Sequence, residues 1–378
     1  MKKTRVDCYW RSGSGWPRRR VAVSLHSHTL HSKESLDFIP RICGEVPGLQ
    51  SALEPARGGT RVNWNRAWWT PPLTPRQAWD VEARQIHEKL SAEPLVSITD
   101  HDDITAPTQL RVLPECRHVP ISFEWTIPWG RAFFHFGIHQ LPPASAQSLF
   151  EALNGCPQAA VPDLLAKLHR MPDVLIVFNH PLWDEAAIGQ EVQDREAVDM
   201  LTRFGDRIHA LELNGLRPWR ENQRVFQLGD RYGLPLISGG DRHGHEPNAN
   251  LNLTDAVTFS EFIAEIRDGA SHLLFMPHYR ENRLGRMLNQ IWEVLRDDDL
   301  HGLGWKRWSD RIFCQHDDGT VQSLADFWGP QAPRAIRIFL RLVNLMAHAP
   351  VRHAVRRVLR PEQDAGLRER NFLRSGPV

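Results

Sequence analysis

The stretch that decides the fold is VAVSLHSHT, residues 21–29, in which a short apolar strand pattern runs into two histidines two positions apart. Six more strand patterns follow along the chain, with helix patterns among them. The strand patterns lie at 21–25, 94–98, 119–123, 132–139, 174–178, 209–213 and 234–238, and the helix patterns at 74–90, 161–169, 195–204 and 221–232. Such alternation is typical of α/β architecture with parallel strands.

The composition of the 378-residue chain is that of a globular protein, with 41% hydrophobic and 24% charged residues. Its formal net charge of +1 gives no reason to expect a nucleic acid or an acidic membrane as a general partner. The five cysteines are far apart and form no CxxC pair, which argues against a disulfide framework or a cysteine zinc site and favours the cytoplasm. We expect no membrane span and no signal peptide, because no apolar run reaches about 18 residues and the N-terminus is charged.

Histidine and carboxylate side chains are concentrated where the strand patterns end. They are His26, His28, His101, Glu124, His135, His180, Asp241 and His243. Functional residues of α/β proteins collect at the carboxyl ends of strands, so we expect these eight to lie close together. Residues two apart on a strand point to the same face, which would let His26 and His28 reach one ion. Imidazole and carboxylate are ligands for Zn, Mn or Fe, and eight of them suffice for two or three divalent ions.

The order of these motifs resembles that of the PHP family, the polymerase and histidinol phosphatase superfamily. The matching blocks are SLHSHT at 24–29, SITDHD at 97–102, Glu124 followed by HFG at 135–137, FNHP at 178–181 and GGDRH at 239–243. The resemblance covers roughly residues 20–280 and leaves out the C-terminal hundred. It implies a distorted (β/α)7 TIM-like barrel with two or three divalent ions at the carboxyl ends of its strands.

The resemblance also implies roles for individual residues. All eight strand-end residues are expected to ligate metal, with Glu124 as the carboxylate that bridges ions and His101 as a ligand of a more isolated third ion. Shortly after HxHT the family usually has Asp or His, whereas this chain has Lys33 and Glu34. A lysine cation cannot ligate, so either Glu34 completes the third site or that site is weak or absent. The expected catalytic residues are Glu124, Asp241, Arg242 and His245.

Two domains are expected, a metal-dependent hydrolase domain at 20–280 and a mainly helical C-terminal extension at 281–378. An insertion at about 40–75, rich in Trp, Pro and Gly, interrupts the first domain. It is either a lid whose Arg and Trp side chains contact substrate or a hydrophobic flap that packs on the C-terminal helices. The extension has ten Arg and three acidic residues from Gln331 to Val378. It presents either a solvated face or a surface for phosphate-rich partners or anionic lipid.

The function that these motifs favour is hydrolysis of a phosphate ester by a hydroxide that bridges metal ions. The substrate would be a phosphorylated small molecule, or a nucleotide or nucleic-acid end. Two other functions stay open. The same ions could hydrolyse a carbon–nitrogen or carboxylic ester bond or support other metal-centred chemistry, or the chain could be a non-catalytic PHP-like binding module. The sequence does not choose among Mn, Zn and Fe, nor does it define an oligomeric state.

Overall fold

The structure is a computed structural model that describes residues 3–11, 19–40, 62–281, 283–296, 303–328 and 333–347. The described chain is mixed α/β, as the sequence predicts. Its strands are β1 Lys3–Cys8, β2 Val21–Ser24, β3 Glu34–Ser35, β4 Ala67–Trp69, β5 Glu93–Val96, β6 Phe123–Trp129, β7 Ala132–His139, β8 Leu175–Phe178, β9 Ala210–Asn214, β10 Leu236–Gly239, β11 Asn250–Thr254, β12 Ala270–Phe275, β13 Ile312–Gln315 and β14 Val321–Ser323. Its α-helices are α1 Pro75–Gln85, α2 Thr105–Leu110, α3 Ala146–Leu153, α4 Val161–His169, α5 Gln190–Phe204, α6 Trp219–Tyr232, α7 Phe259–Arg267, α8 Arg283–Leu295, α9 Leu324–Trp328 and α10 Arg334–Ala347.

Ten of the strands form two five-stranded sheets. The first sheet has the order β1-β12-β11-β2-β5, and the second has the order β10-β9-β8-β7-β6. In the first, β2 runs parallel to β5, with Val21 opposite Glu93 and Ser24 opposite Val96. In the second, β8, β9 and β10 are parallel, whereas β6 and β7 form an antiparallel hairpin.

The two sheets approach each other at the ends of the strands that carry the polar motifs. Isolated bridges join Ser27 to Arg242 and His101 to Glu124. Of the predicted distorted (β/α)7 TIM-like barrel, the described residues show the mixed α/β structure, but their two sheets are joined by isolated bridges and do not close into a barrel. The reason is that β2 already uses both of its edges, because β5 pairs with one and β11 with the other. The chain after β10 can consequently pair with the chain of β2 only beyond the last residue of β2.

The sheets enclose an apolar core that holds the strand ends in place. Strands β2, β8 and β10 are buried along their whole length, which is the pattern of strands covered on both faces. Phe123, Trp125, Phe136 and Phe178 are fully buried in the main cluster, and the last two rings stack 4.7 Å apart. Burying each such side chain stabilises the fold by about 1.5–3 kcal/mol. Rigid strands of this kind can position polar groups at their ends.

Helix α1 begins where the sequence predicts, at the Thr74-Pro75 step. The Thr74 hydroxyl accepts a hydrogen bond from the N–H of Gln77, and the side-chain oxygen of Gln77 accepts one from the Thr74 N–H, which makes a capping box. A π-helical turn, Ile86–Leu90, prolongs the helix. No helix within the described residues combines the length and the apolar character that crossing a membrane requires.

A smaller sheet joins the insertion to the C-terminal extension. Its order is β14-β13-β4-β3, and Trp69 of β4 lies opposite Ile312 of β13. Trp68 stacks on Phe313 with 5.7 Å between the ring centroids. The described part of the insertion thus packs on the extension, while residues 41–61 lie outside the described residues. Helices α8 and α10 lie in the extension that was expected to be mainly helical, whereas β13 and β14 were not expected there. The domain bounds themselves stay a prediction.

Candidate metal centre

The structure brings all nine sequence-predicted ligand residues together. Eight lie on or just beyond β2, β5, β6, β7, β8 and β10, and Glu34 comes from β3 of the smaller sheet. Their nitrogen and oxygen atoms form four overlapping groups, within each of which the atoms lie within 4.8 Å of one another. The groups are His28, Glu34, His101 and His243; His26, His28 and Glu124; His26, His180 and Asp241; and His101, Glu124 and His135.

The backbone turns sharply where three of these side chains enter the cluster. His26, His180 and Asp241 have φ angles of 65°, 24° and 52°, in the left-handed region that residues other than glycine rarely adopt. Each lies two residues beyond the last residue of a strand, where the chain leaves the sheet. The expectation that His26 and His28 would share the face of a strand is therefore wrong in its local geometry, because β2 ends at Ser24. Strained backbone of this kind is characteristic of functional sites.

Glu124 lies at the centre of the cluster. Its Oε2 is 2.9 Å from Nε2 of His26, 3.3 Å from Nε2 of His28 and 3.4 Å from Nδ1 of His101. Its Oε1 is 3.2 Å from Nε2 of His180 and accepts a hydrogen bond of 2.9 Å from the amide of Asn179. The carboxylate is fully buried. Burial alone would raise the pKa of Glu124, but the surrounding histidines hold it well below the usual range, so the group is charged.

His28 has the properties of a metal ligand. Its Nε2 is buried without a hydrogen-bond partner among the described residues, although it faces carboxylate oxygens of Glu124 and Asp241 at 3.3 and 3.5 Å. Burial and the nearby His243 lower the pKa of His28 to about 3, which keeps the ring neutral. A neutral imidazole nitrogen facing two carboxylates is a donor set that suits a divalent cation. The residues present therefore fit the ions that the motifs imply.

Glu34 takes the place that Lys33 cannot fill. Its Oε2 is 3.2 Å from Nε2 of His243 and 3.5 Å from Nε2 of His101. Burial would raise the pKa of Glu34, but the two histidines outweigh it and lower the pKa. The ammonium of Lys33, in contrast, lies over the ring of Trp68 at 5.4 Å. Glu34 belongs to the group with His28, His101 and His243. Its position there depends on the pairing of β3 with β4 in the smaller sheet.

A buried carboxylate that sequence reasoning missed lies beneath the cluster. Oε1 of Glu212 is 2.5 Å from Nδ1 of His26, and Oε2 accepts the N–H of His180 at 2.8 Å. A Cβ atom on Gly239 would lie 1.4 Å from Oε1 of Glu212, so only glycine fits beside this carboxylate. The available signals were the charged residue within the apolar strand ALELN and the glycine pair at 239–240.

Two further polar residues orient the motifs. Asp100 accepts both the backbone N–H and the hydroxyl of Thr29, at 2.5 and 2.7 Å, and so ties the TDH segment to the HSHT segment. Burial raises the pKa of Asp100 to about 7. Asn179 donates to Glu124, as described above. Both belong to motifs that were recognised in the sequence, but only their histidine neighbours were selected.

Two residues that were expected to be catalytic lie outside the cluster. Arg242 is directed away from it and is 4% exposed; its Nε donates to Oε1 of Glu82 at 2.7 Å and its Nη1 to the carbonyl of Gly244 at 2.8 Å. The structure thus shows Arg242 in a buried ion pair with Glu82 of α1, and a catalytic role for it stays a prediction. His245 belongs to none of the four ligand groups. Its backbone N–H donates to Oε2 of Glu293 on α8, so its main chain anchors the loop that carries His243.

A small cavity of about 50 Å³ adjoins the cluster. It lies between the loop after β10 and helix α8, and His243 lines it. Other lining residues are Gly215, Leu216, Pro247 and Ala249. It is far smaller than the roughly 300–1,000 Å³ of sites that enclose a small molecule. Its lining also includes the charged side chains Arg242, Glu246 and Glu293, so it is a small, partly charged recess beside one of the ligand groups.

Comparisons with known proteins find similarity only among solved structures, since no family model and no curated protein matches the chain. PsfC from Pseudomonas syringae PB-5123 is 16% identical over 69% of this chain and 93% of its own, with a TM-score of 0.41. A two-domain protein from Bacteroides vulgatus ATCC 8482, containing a predicted PHP-like metal-dependent phosphoesterase, is 12% identical over 69% of this chain and 67% of its own, with a TM-score of 0.41. An amidohydrolase from Chromobacterium violaceum, with bound sulfate and no metal, is 14% identical over 65% of this chain and 96% of its own, with a TM-score of 0.36. These values are too low to define the fold or the activity of this chain, which have to be inferred from its own residues.

Proposed function

We propose that this chain is a metal-dependent phosphoesterase of the PHP superfamily. The observation that carries the proposal is the set of nine imidazole and carboxylate side chains around Glu124, arranged in four overlapping groups. Because the groups share His26, His28, His101 and Glu124, ions held by them would be close neighbours. Two or three divalent ions, of Mn, Zn or Fe, suit this donor set. When bound, such ions supply an activated water as nucleophile and neutralise charge on a phosphoryl group.

Part of this donor set is in its ligating form before ions bind. Asp241, like Glu124, is charged: burial would raise its pKa, but His28 and His26 keep the pKa well below the ordinary range. His135 is neutral, since burial lowers its pKa well below the usual value. Glu212 and Asn179 fix the orientation of His26 and Glu124 through hydrogen bonds. These contacts hold His26 and Glu124 in place before ions bind, and preorganisation of this kind favours catalysis.

The substrate that we propose is a phosphate ester of a small molecule, or of a nucleotide or nucleic-acid end. Trp69 from the insertion lies near His243, with 5.8 Å between the ring centroids, and is the aromatic side chain of the insertion that is available to a ring of the substrate. Hydrolysis of a carboxylic ester or amide remains the second candidate, because activated water does not itself select phosphorus.

The proposal is tested by loading purified protein with Mn, Zn or Fe and comparing p-nitrophenyl phosphate, bis(p-nitrophenyl) phosphate, nucleotides, p-nitrophenyl acetate and simple amides. We expect metal-dependent turnover of at least one phosphate ester. His28→Ala and Asp241→Ala should abolish it while the circular dichroism spectrum is retained. His118→Ala, at an exposed histidine remote from the cluster, is the matched control. Turnover of carboxylic esters or amides alone would favour the second candidate, and absence of turnover with bound metal would favour a binding module.

A further inference from the structure

Arg217 and Trp183 form a pair beside the candidate metal centre. Trp183 lies in the loop after β8, three residues beyond His180, and Arg217 lies in the loop after β9. The guanidinium carbon is 3.6 Å from the centroid of the Trp183 ring, so the two planar groups are in direct contact. Nη2 of Arg217 is 3.6 Å from Oδ2 of Asp241. The loops after two neighbouring parallel strands thus hold the positively charged guanidinium of Arg217 at the edge of the cluster.

The hydrogen-bond donors of this guanidinium are not used within the described residues. Its Nε is buried and has no acceptor, and the contact with Asp241 is longer than a hydrogen bond. The side chain is only 16% exposed. Burying an arginine donor that has no acceptor costs free energy, unless a ligand supplies the acceptor. The planar fork of donors is suited to two oxygens of a phosphate group.

The backbone around Arg217 is fixed, which suits a binding residue. Its carbonyl accepts a hydrogen bond of 3.0 Å from the hydroxyl of Tyr279, and its N–H donates to the carbonyl of Asn214 at 3.3 Å. Asn214 also donates from its amide to Oδ2 of Asp241 at 3.2 Å. Oδ2 therefore has a hydrogen-bond donor in Asn214, and the donors of Arg217 remain available to another anion.

We propose that Arg217, stacked on Trp183, anchors the phosphate group of the substrate and makes phosphate monoesters the preferred substrate class; this rests on the proposed function. A monoester has three non-bridging oxygens and carries up to two negative charges, whereas a diester has two such oxygens and one charge. A monoester therefore offers the guanidinium one more acceptor oxygen and up to one more negative charge than a diester does. Loss of Arg217 consequently weakens monoester binding more than diester binding.

A purely structural role of Arg217 makes a different prediction. If the side chain only positions Asp241, its loss reduces the metal content of the protein. If it anchors phosphate, its loss leaves the metal content unchanged and weakens the binding of inorganic phosphate. Arg203, which lies over Trp129 at 5.7 Å on an exposed helix face, provides a matched control at a distant arginine–tryptophan pair.

The experiment measures binding of inorganic phosphate to the metal-loaded wild type and to Arg217→Met, Arg217→Lys, Trp183→Ala and Arg203→Met by calorimetry, with metal content by mass spectrometry. Arg217→Met should weaken phosphate binding about 10- to 100-fold at unchanged metal content, which corresponds to one to two charge-assisted hydrogen bonds. Arg217→Lys and Trp183→Ala should give smaller losses, and Arg203→Met none. In turnover, Arg217→Met should lower the ratio of kcat/KM for p-nitrophenyl phosphate to that for its diester.

Three results would contradict the proposal that Arg217 binds phosphate. They are phosphate binding to Arg217→Met as tight as to the wild type, loss of metal in that variant, and no phosphate binding by the metal-loaded wild type. The outcome is separable from that of the proposed function. If phosphate binding depends on Arg217 but no ester is hydrolysed, the proposal for Arg217 holds and the proposed phosphoesterase function is rejected. If phosphate esters are hydrolysed and Arg217→Met does not change this, the proposed function holds and the proposal for Arg217 is rejected.

Discussion

Oε1 of Glu212 lies 2.5 Å from Nδ1 of His26, while Nε2 of the same ring faces Glu124 at 2.9 Å. The imidazole of His26 is thus held between two buried carboxylates. A histidine that ligates metal through one nitrogen commonly donates from the other to a carboxylate, which fixes the tautomer and the ring orientation. Glu212 therefore makes Nε2 of His26 the nitrogen available to an ion. If Nδ1 and Nε2 of His26 both carried protons, neither would have a lone pair for a metal ion. With the proton on Nδ1, beside Glu212, the lone pair is on Nε2.

The first prediction concerns Glu212→Gln. We expect metal affinity to fall about 10- to 100-fold, because the neutral amide orients and polarises His26 less effectively. Competition with a metal-binding dye measures this change. Glu151→Gln, at an exposed position of α3, is the control. If Glu212→Gln binds metal as tightly as the wild type, Glu212 does not support a ligand.

The second prediction concerns protons and metal binding. Burial tends to lower the pKa of His101, but Glu124 and Glu34 outweigh it and raise the pKa to about 9. The pKa values of His26, His180 and His243 are raised in the same way, by adjacent carboxylates acting against burial. A protonated imidazole cannot ligate, so ions must displace these protons at pH 7. Apparent metal affinity should rise with pH from about 7 to about 9.

Calorimetry in two buffers of different ionisation enthalpy measures the protons that metal binding releases. We expect release of at least one proton per chain at pH 7, falling as the pH approaches 9. Equal heats in the two buffers at pH 7 would show that the histidines are already neutral in the metal-free protein.

The third prediction concerns Arg242, which the motif places between two candidate ligands. Its buried pair with Glu82 has a Nε–Oε1 distance of 2.7 Å, and both side chains are nearly inaccessible. Arg242→Met should lower the free energy of unfolding by about 3–5 kcal/mol, because it leaves a buried carboxylate unpaired. The double variant Arg242→Met with Glu82→Gln should recover part of this loss. Urea denaturation of both variants measures the effect, and a loss below about 1 kcal/mol in the single variant would contradict a structural role.

The fourth prediction concerns Glu34. Glu34→Ala should reduce the metal content by one equivalent per chain, because it removes one carboxylate from the group of His28, His101 and His243. The other three groups do not contain Glu34, so their ions should remain. Lys33→Ala, at the neighbouring residue whose side chain lies over Trp68, should leave the metal content unchanged. An unaltered metal content in Glu34→Ala would exclude a metal-binding role for Glu34.

Sequence reasoning selected the residues of the cluster better than it explained their geometry. The histidines and carboxylates are recognisable because charged and imidazole groups at the ends of apolar strands have no other common reason to occur together. Glu212 was missed because a single carboxylate inside a strand looks like one more polar position until its partner His26 is known. The ion pair of Arg242 could not be predicted, because the orientation of its side chain depends on Glu82, which is 160 residues earlier in the chain.

The parts of the fold that the sequence could not predict depend on long-range pairing. The alternation of strands and helices predicted mixed α/β structure, but it does not say which edge of β2 pairs with β11. That pairing prevents a closed barrel. Likewise, the contact of Trp69 with Ile312 joins segments more than 200 residues apart, and it creates the sheet on which Glu34 lies. Strands β13 and β14 of the extension lack the long apolar pattern from which a strand can be predicted.

The most direct test of the account is the metal content of protein purified without a histidine tag or a chelator, measured by mass spectrometry as equivalents per chain. The account predicts two or three equivalents of Mn, Zn or Fe, or uptake of that number when the ion is added. No bound metal and no uptake on addition would contradict the metal centre. The nine side chains around Glu124 would then be a buried polar network without ions.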